Sequence, residues 1–232
     1  MGGAVPALVL IDLDGTLVDT IPDIAFSIDR TLVELGRPAA GAERVGEWVG
    51  NGIEMLVHRA LAGTNDGEVD ESDYARALPR FRELYAHHVC DRSRVYDGVT
   101  VGLDYLHGCG AQLACVTNKA EAFTTRLLAA LALDGYFSLV VCGDTLARRK
   151  PDPMPLLYAA EHFGVAPAEA LLIGDSANDV KAARAAGFGI VCVSYGYNHG
   201  DDIRTSAPDA VIDSLAELPG LFAPSHRANS AS

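Results

Sequence analysis

From about residue 95 onward, short aliphatic runs alternate with longer segments in which apolar residues recur every three or four positions. The aliphatic runs predict strands in AQLACVTN (111–118), SLVVCGD (138–144), ALLIGDS (170–176), GIVCVSYG (189–196) and the shorter DAVID (209–213). The periodic segments between them predict helices: VGLDYLHGC (101–109), AEAFTTRLLAALAL (120–133), a segment opened by Pro151 and Pro153 and running to about His162, and NDVKAARAAG (178–187). An earlier run, LVLI at 8–11, predicts a first, buried strand. Strands alternating with helices imply βαβ units, hence an α/β fold with a mainly parallel sheet covered by helices on both faces.

Residues 20–90 break this rhythm. IAFSIDRTLVELG, IEMLVHRALAG and YARALPRFRELYAHHV carry helical periodicity, no convincing strand separates them, and the polar TNDGEVDESD (64–73) reads as a connection. Helices inserted after the first strand of an α/β sheet predict a separate small helical domain. The expected division is therefore 1–19 with 91–232 as the core and 20–90 as the insertion, with Tyr96–Gly98 marking the return as a turn-like hinge. The terminal APSHRANSAS is expected to fray.

Composition narrows the function. The chain has 232 residues, 49% hydrophobic and 21% charged, enough to bury a core. Its formal charge of −13 and lack of a basic tract argue against a nucleic-acid partner. No apolar stretch reaches the length of a membrane span, and MGGAVPALVLID has no basic leader region, so a cytoplasmic location without membrane contact is expected. The five cysteines form no C-x-x-C, which disfavours a zinc site or a disulfide framework. Oligomeric state, monomer or homodimer, stays open.

Ligands of open α/β sheets collect at the carboxyl ends of the strands. There the chain places Asp12 and Asp14, then Thr117 and Asn118, then Asp175 and Asp179, with Lys150 just past another strand. Asp12 and Asp14 alternate along the chain and so converge on one side, where Asp175 joins them. Crowded carboxylates repel unless a cation intervenes, and oxygen ligands with room for phosphate suit Mg²⁺. Thr117 and Lys150 could surround phosphate oxygens, although a threonine there could equally cap the next helix. Asp179, four residues after Asp175, could favour its helix N-terminus or orient Lys150 or metal-bound water. Gly50, Asn51 and Gly52 precede a predicted helix, whose N–H groups could meet an anion or serve only as a plain cap.

The set DLDGTLVDT, VTN, RKPDP and GDSANDV resembles the four motifs of the haloacid dehalogenase-like superfamily, in order and across the whole chain. The resemblance implies a Rossmann-like core with a helical cap, and a phosphatase, because the dehalogenating members lack an acid at the position of Asp14. It also implies roles. Asp12 would be the nucleophile forming an aspartyl-phosphate and Asp14 the general acid and base. Mg²⁺ would sit on the Asp12 and Asp175 carboxylates and the Asp14 main-chain carbonyl, while Thr117, Asn118 and Lys150 would hold the phosphoryl group. Asp19 would assist at the cap hinge. WVGNGIEML, GDTLARRKPDPMPL, SYGYNHGDDI and PDAVIDSLAEL are further similar to bacterial phosphoglycolate phosphatases, which implies 2-phosphoglycolate as the small anionic substrate. Alternatives are a pyrophosphatase, a broader sugar-phosphate or nucleotide phosphatase, a β-phosphoglucomutase-like enzyme and, from a different class, a phospho-acceptor signalling domain.

Overall fold

The computed structural model describes residues 4–222, so APSHRANSAS lies outside the described residues. The strands are β1 (Leu8–Ile11), β2 (Val18–Asp19), β3 (Arg94–Val95), β4 (Gln112–Val116), β5 (Leu139–Val141), β6 (Ala170–Gly174), β7 (Gly189–Val193) and β8 (Ala210–Ile212). Six of them form one sheet in the order β5-β4-β1-β6-β7-β8, with every neighbouring pair parallel. The helices are α1 (Ile21–Glu34), α2 (Ala42–Trp48), α3 (Ile53–Ala62), α4 (Glu71–His87), α5 (Val99–Gly108), α6 (Glu121–Ala130), α7 (Met154–Phe163), α8 (Ala177–Ala186) and α9 (Leu218–Phe222).

All four residues of β1 are fully buried, which explains their uniform aliphatic character: the strand lies at the centre of the sheet and presents both faces to packed helices. Val9 and Ile11 share one apolar cluster with Leu103, Leu106 and Leu127 of α5 and α6. Leu8 and Leu10 point the other way, into a cluster with Leu156 and Ala159 of α7 and Val180 and Ala183 of α8. The helices therefore cover both faces, as the alternation predicts. Helix α7 starts at Met154 instead of Pro151, because residues 151–153 form turns before the helix begins.

Residues 21–87 are helical, in four segments, and contain no strand. Three match the periodic segments of the sequence. The fourth, α2, is seven residues long with Gly46 inside it, too short for periodicity to declare. Also unforeseen is the antiparallel pairing of β2 with β3, which brings Val18 opposite Val95 and Asp19 opposite Arg94. This two-residue ribbon joins the chain just before α1 to the chain just after α4.

A buried carboxylate reinforces the junction. Asp23, in the first turn of α1 and fully buried, accepts hydrogen bonds from Arg92 N (2.9 Å), Ser93 N (2.7 Å) and Ser93 Oγ (2.7 Å). Burial alone would raise its pKa, but these donors outweigh that cost and hold the carboxyl below the usual range. Asp23→Ala leaves the buried donors unsatisfied and should cost about 3 kcal/mol of stability at neutral pH. Because the folded-state pKa is depressed, Asp23 contributes fully above the unfolded carboxyl pKa, and the contribution is lost as pH falls through the folded value. The gap between the thermal melts of wild type and variant should therefore be widest at neutral pH and narrow as the pH falls below about 4; a gap independent of pH would refute the assignment.

Candidate active site

Immediately beyond β1 the backbone keeps its place in the sheet for one more residue, with Asp12 N donating to Ile173 O (2.9 Å). It then turns at Gly15, whose φ of +83° and contact with Asp175 leave no room for a Cβ. The Asp12 carboxylate thus emerges at the end of β1 beside Asp175, which follows the end of β6. Lys150 reaches in from the segment before α7. Its ammonium is 3.0 Å from Asp12 Oδ1 and donates to Asp179 Oδ1 at 2.7 Å, while the side chain is only 2% exposed.

Asp179, fully buried, also accepts from Ser176 N (3.1 Å) and Ser176 Oγ (2.6 Å), closing a reciprocal cap at the start of α8. Both roles considered from the sequence, helix acid and partner of Lys150, are therefore filled by one carboxylate. Asp175 accepts from Thr16 Oγ1 (3.0 Å) and Tyr197 N (2.8 Å). One carboxylate oxygen each from Asp12, Asp175 and Asp179 lies within 4.8 Å of the others.

The electrostatics follow from crowding. Burial, with a further contribution from Asp179, pushes Asp12 up to about 7 even though Lys150 opposes the shift. Burial and the charges of Asp179 and Asp12 drive Asp175 well above the usual carboxylate range. Burial works against the Lys150 ammonium, yet Asp12 and Asp179 outweigh it and keep the lysine charged beyond its ordinary range. A single ammonium cannot balance three buried carboxylates. The all-oxygen donor set therefore fits a hard divalent cation; Asp12 Oδ2 accepts no hydrogen bond from the described residues and each Asp175 oxygen accepts one, whereas Asp179 Oδ2 already accepts three and its Oδ1 holds Lys150.

The remaining sequence candidates divide. Thr117, at the end of β4, is buried, and its Oγ1 accepts from Lys119 N (3.2 Å), as a turn cap does. Asn118 donates to Lys150 O (2.8 Å) and to Gly50 O (2.9 Å), tying the lysine's backbone to the loop before α3. Gly50 and Gly52 line the cleft between the sheet edge and the helical segment. Asn51 does not line it; its Oδ1 accepts from Arg59 Nη1 at 2.9 Å. Asp19 accepts from the Tyr197 hydroxyl (2.8 Å), which in turn accepts from Thr20 N (2.7 Å) at the start of α1.

Asp14 carries the main surprise. Its carboxylate is turned to Lys119, whose ammonium lies 3.0 and 3.2 Å from its two oxygens and also donates to the Tyr85 hydroxyl (2.6 Å) on α4. Neither Lys119 nor Tyr85 was singled out in the sequence. Lys119 had a usable signal, since it directly follows Thr117 and Asn118 at a strand end. Tyr85 had none, because only tertiary packing brings α4 to this point. Tyr197 was likewise missed.

Lys150→Met should destabilise the fold by about 3–5 kcal/mol, because Asp12 and Asp179 lose their shared counter-charge while staying buried. Urea denaturation in chelating buffer measures this; an unchanged midpoint would show that the ion pairs contribute nothing to stability.

The family model described as haloacid dehalogenase-like hydrolase matches residues 9–193. A phosphoglycolate phosphatase of Nitrosococcus oceani is 54% identical over 217 residues, 94% of this chain and 96% of that protein. A phosphoglycolate phosphatase of Thiobacillus denitrificans is 51% identical over 209 residues, covering 90% and 92%. The crystal structure described as a predicted phosphoglycolate phosphatase from Haemophilus somnus superposes with a TM-score of 0.89 at 35% identity, covering 95% of this chain and 99% of that one. With a match over most of its length and the motif carboxylates gathered at one sheet edge, the chain belongs to the haloacid dehalogenase-like hydrolase family.

Proposed function

We propose that this protein is a Mg²⁺-dependent phosphatase that hydrolyses 2-phosphoglycolate to glycolate and phosphate through a phosphorylated Asp12. The observation that carries the reading is the convergence of Asp12, Asp175 and Lys150 at one strand edge, with Asp14 two residues from the nucleophile. The substrate follows from the relatives in N. oceani and T. denitrificans, which are named phosphoglycolate phosphatase and align over nearly the whole chain.

In the first half-reaction an Asp12 carboxylate oxygen attacks phosphorus, the P–O bond to the glycolate oxygen breaks, and Asp14 delivers a proton to that oxygen. In the second, Asp14 takes a proton from water, whose oxygen attacks the phosphorus of the aspartyl-phosphate and releases phosphate with Asp12 regenerated. Lys150, beside the Asp12 carboxylate, would hold a phosphoryl oxygen and stabilise the charge spread over the transferring group. Thr117 would supply its hydroxyl to another, since its main-chain N–H donates to Val141 O. Asn118 acts one step removed, fixing the Lys150 main chain. Mg²⁺ held by Asp12, Asp175 and the Asp14 carbonyl would offset repulsion between the nucleophile and the phosphate. Residues 20–90 would serve as the cap that closes over the cleft and excludes water.

Asp12→Asn should lower phosphate release by at least about a thousandfold with the thermal midpoint little changed; a rate near wild type would remove Asp12 as nucleophile. Chelation should silence turnover and lower the melting temperature, with added Mg²⁺ restoring both, since a ligand of the folded state alone stabilises it. Turnover that survives chelation would contradict the metal reading. A phosphate-release screen over 2-phosphoglycolate, pyrophosphate, nucleotides and sugar phosphates should give the highest kcat/KM for 2-phosphoglycolate.

A further inference from the structure

Two buried lysines line the cleft, and the proposed chemistry employs only one of them. Lys150 is committed to Asp12 and Asp179. Lys119 stands apart, with its side chain 4% exposed, its ammonium on the Asp14 carboxylate and the Tyr85 hydroxyl, and the Tyr85 ring 4.8 Å away at its centroid. We propose that Lys119 is the specificity residue for the second anion of the substrate: it takes the carboxylate of 2-phosphoglycolate in exchange for the Asp14 carboxylate it holds here. This inference rests on the phosphoglycolate reading and names how that substrate is distinguished from other phosphate esters.

Three observations converge on Lys119. The first is placement. As proton donor, Asp14 contacts the ester oxygen, and in 2-phosphoglycolate the carboxylate carbon is two bonds from that oxygen. A cation touching both Asp14 oxygens is therefore within reach of the substrate carboxylate. When the Asp14 side chain turns to the ester oxygen, the Lys119 ammonium loses its counter-anion, and the substrate carboxylate replaces it.

The second is the character of the surrounding wall. Ile24, Ile53, Leu56 and Phe81 line the same cleft. A carboxylate brought against these side chains without a cation would lose its hydration uncompensated, whereas one paired with Lys119 gains from the weak screening there. The wall thus favours a carboxylate only where Lys119 stands. The third is Tyr85. Its hydroxyl oxygen accepts from Lys119, and its own proton goes to no acceptor among the described residues, so it can donate to the same carboxylate.

The loop at Gly50–Gly52, where the sequence suggested an anion site, has contacts of its own. The Gly50 carbonyl faces Asn118, the Asn51 side chain is held by Arg59, and the Arg149 guanidinium lies against Gly52.

The test compares 2-phosphoglycolate with ethyl phosphate, the same ester with a methyl group in place of the carboxylate. kcat/KM for both is measured in wild type and in Lys119→Met, with Lys119→Gln as the second variant should the first fail to fold by circular dichroism. Both substrates are expected to lose some rate, since Asp14 loses a partner. The preference for 2-phosphoglycolate over ethyl phosphate should fall at least tenfold further. If wild type shows the preference and the folded variant keeps it, Lys119 serves only to position Asp14 and the inference is overturned. If wild type shows no preference, the phosphoglycolate reading itself fails, and the inference with it.

Discussion

The structure depends on the burial of like charges at one strand edge. Asp12, Asp175 and Asp179 approach closely in a place with little water, and Lys150 bridges the first and the last. Such an arrangement is unfavourable unless every remaining lone pair finds a donor and a cation completes the balance. The surroundings supply donors to two of the three carboxylates. Thr16 and the Tyr197 amide satisfy Asp175, while Ser176 satisfies Asp179 through its amide and hydroxyl. Gly15 and Gly196 let the main chain come so close to Asp175 that a side chain at either position would collide with it. The aliphatic strand supplies the other half of the design. Because β1 is buried on both faces and paired on both edges, Asp12 has little freedom to retreat from its neighbours.

Much of this was legible in the sequence, for a topological reason. A parallel α/β sheet brings all its strand ends to one edge, so locating the aliphatic runs is enough to gather Asp12, Asp14 and Asp175 without any knowledge of packing. The helix starts and stops were equally accessible where glycine marked them, as at Gly187 after α8. What escaped was pairwise and tertiary. Nothing in the local pattern distinguishes Asp14 facing the nucleophile from Asp14 facing Lys119, since both are rotations of one side chain. The ribbon of β2 and β3 joins residues more than seventy positions apart through two residues each, below the length at which alternation declares a strand. Asn118 was expected among the phosphoryl ligands, yet its amide is used on two main-chain carbonyls, Lys150 O and Gly50 O.

Those tertiary contacts share a direction: they run from the sheet edge into the helical segment. Asn118 reaches Gly50, Lys119 reaches Tyr85, the Tyr197 hydroxyl reaches Thr20 and Asp19, and His199 Nδ1 pairs with the Glu47 carbonyl. Several of the participants also touch the charge cluster. Tyr197 donates its amide to Asp175, Asn118 holds the main chain of Lys150, and Lys119 holds Asp14. Each polar contact is worth on the order of 1 kcal/mol net, so the set can bias the position of the helices without locking it. A movement of that segment would be registered at the carboxylates through bonded neighbours. By linkage, a ligand that bound the cluster more tightly in one placement of those helices would favour that placement. Coupling of this kind needs no long pathway, because the groups that pair the two parts of the molecule are the same groups that position the reacting ones.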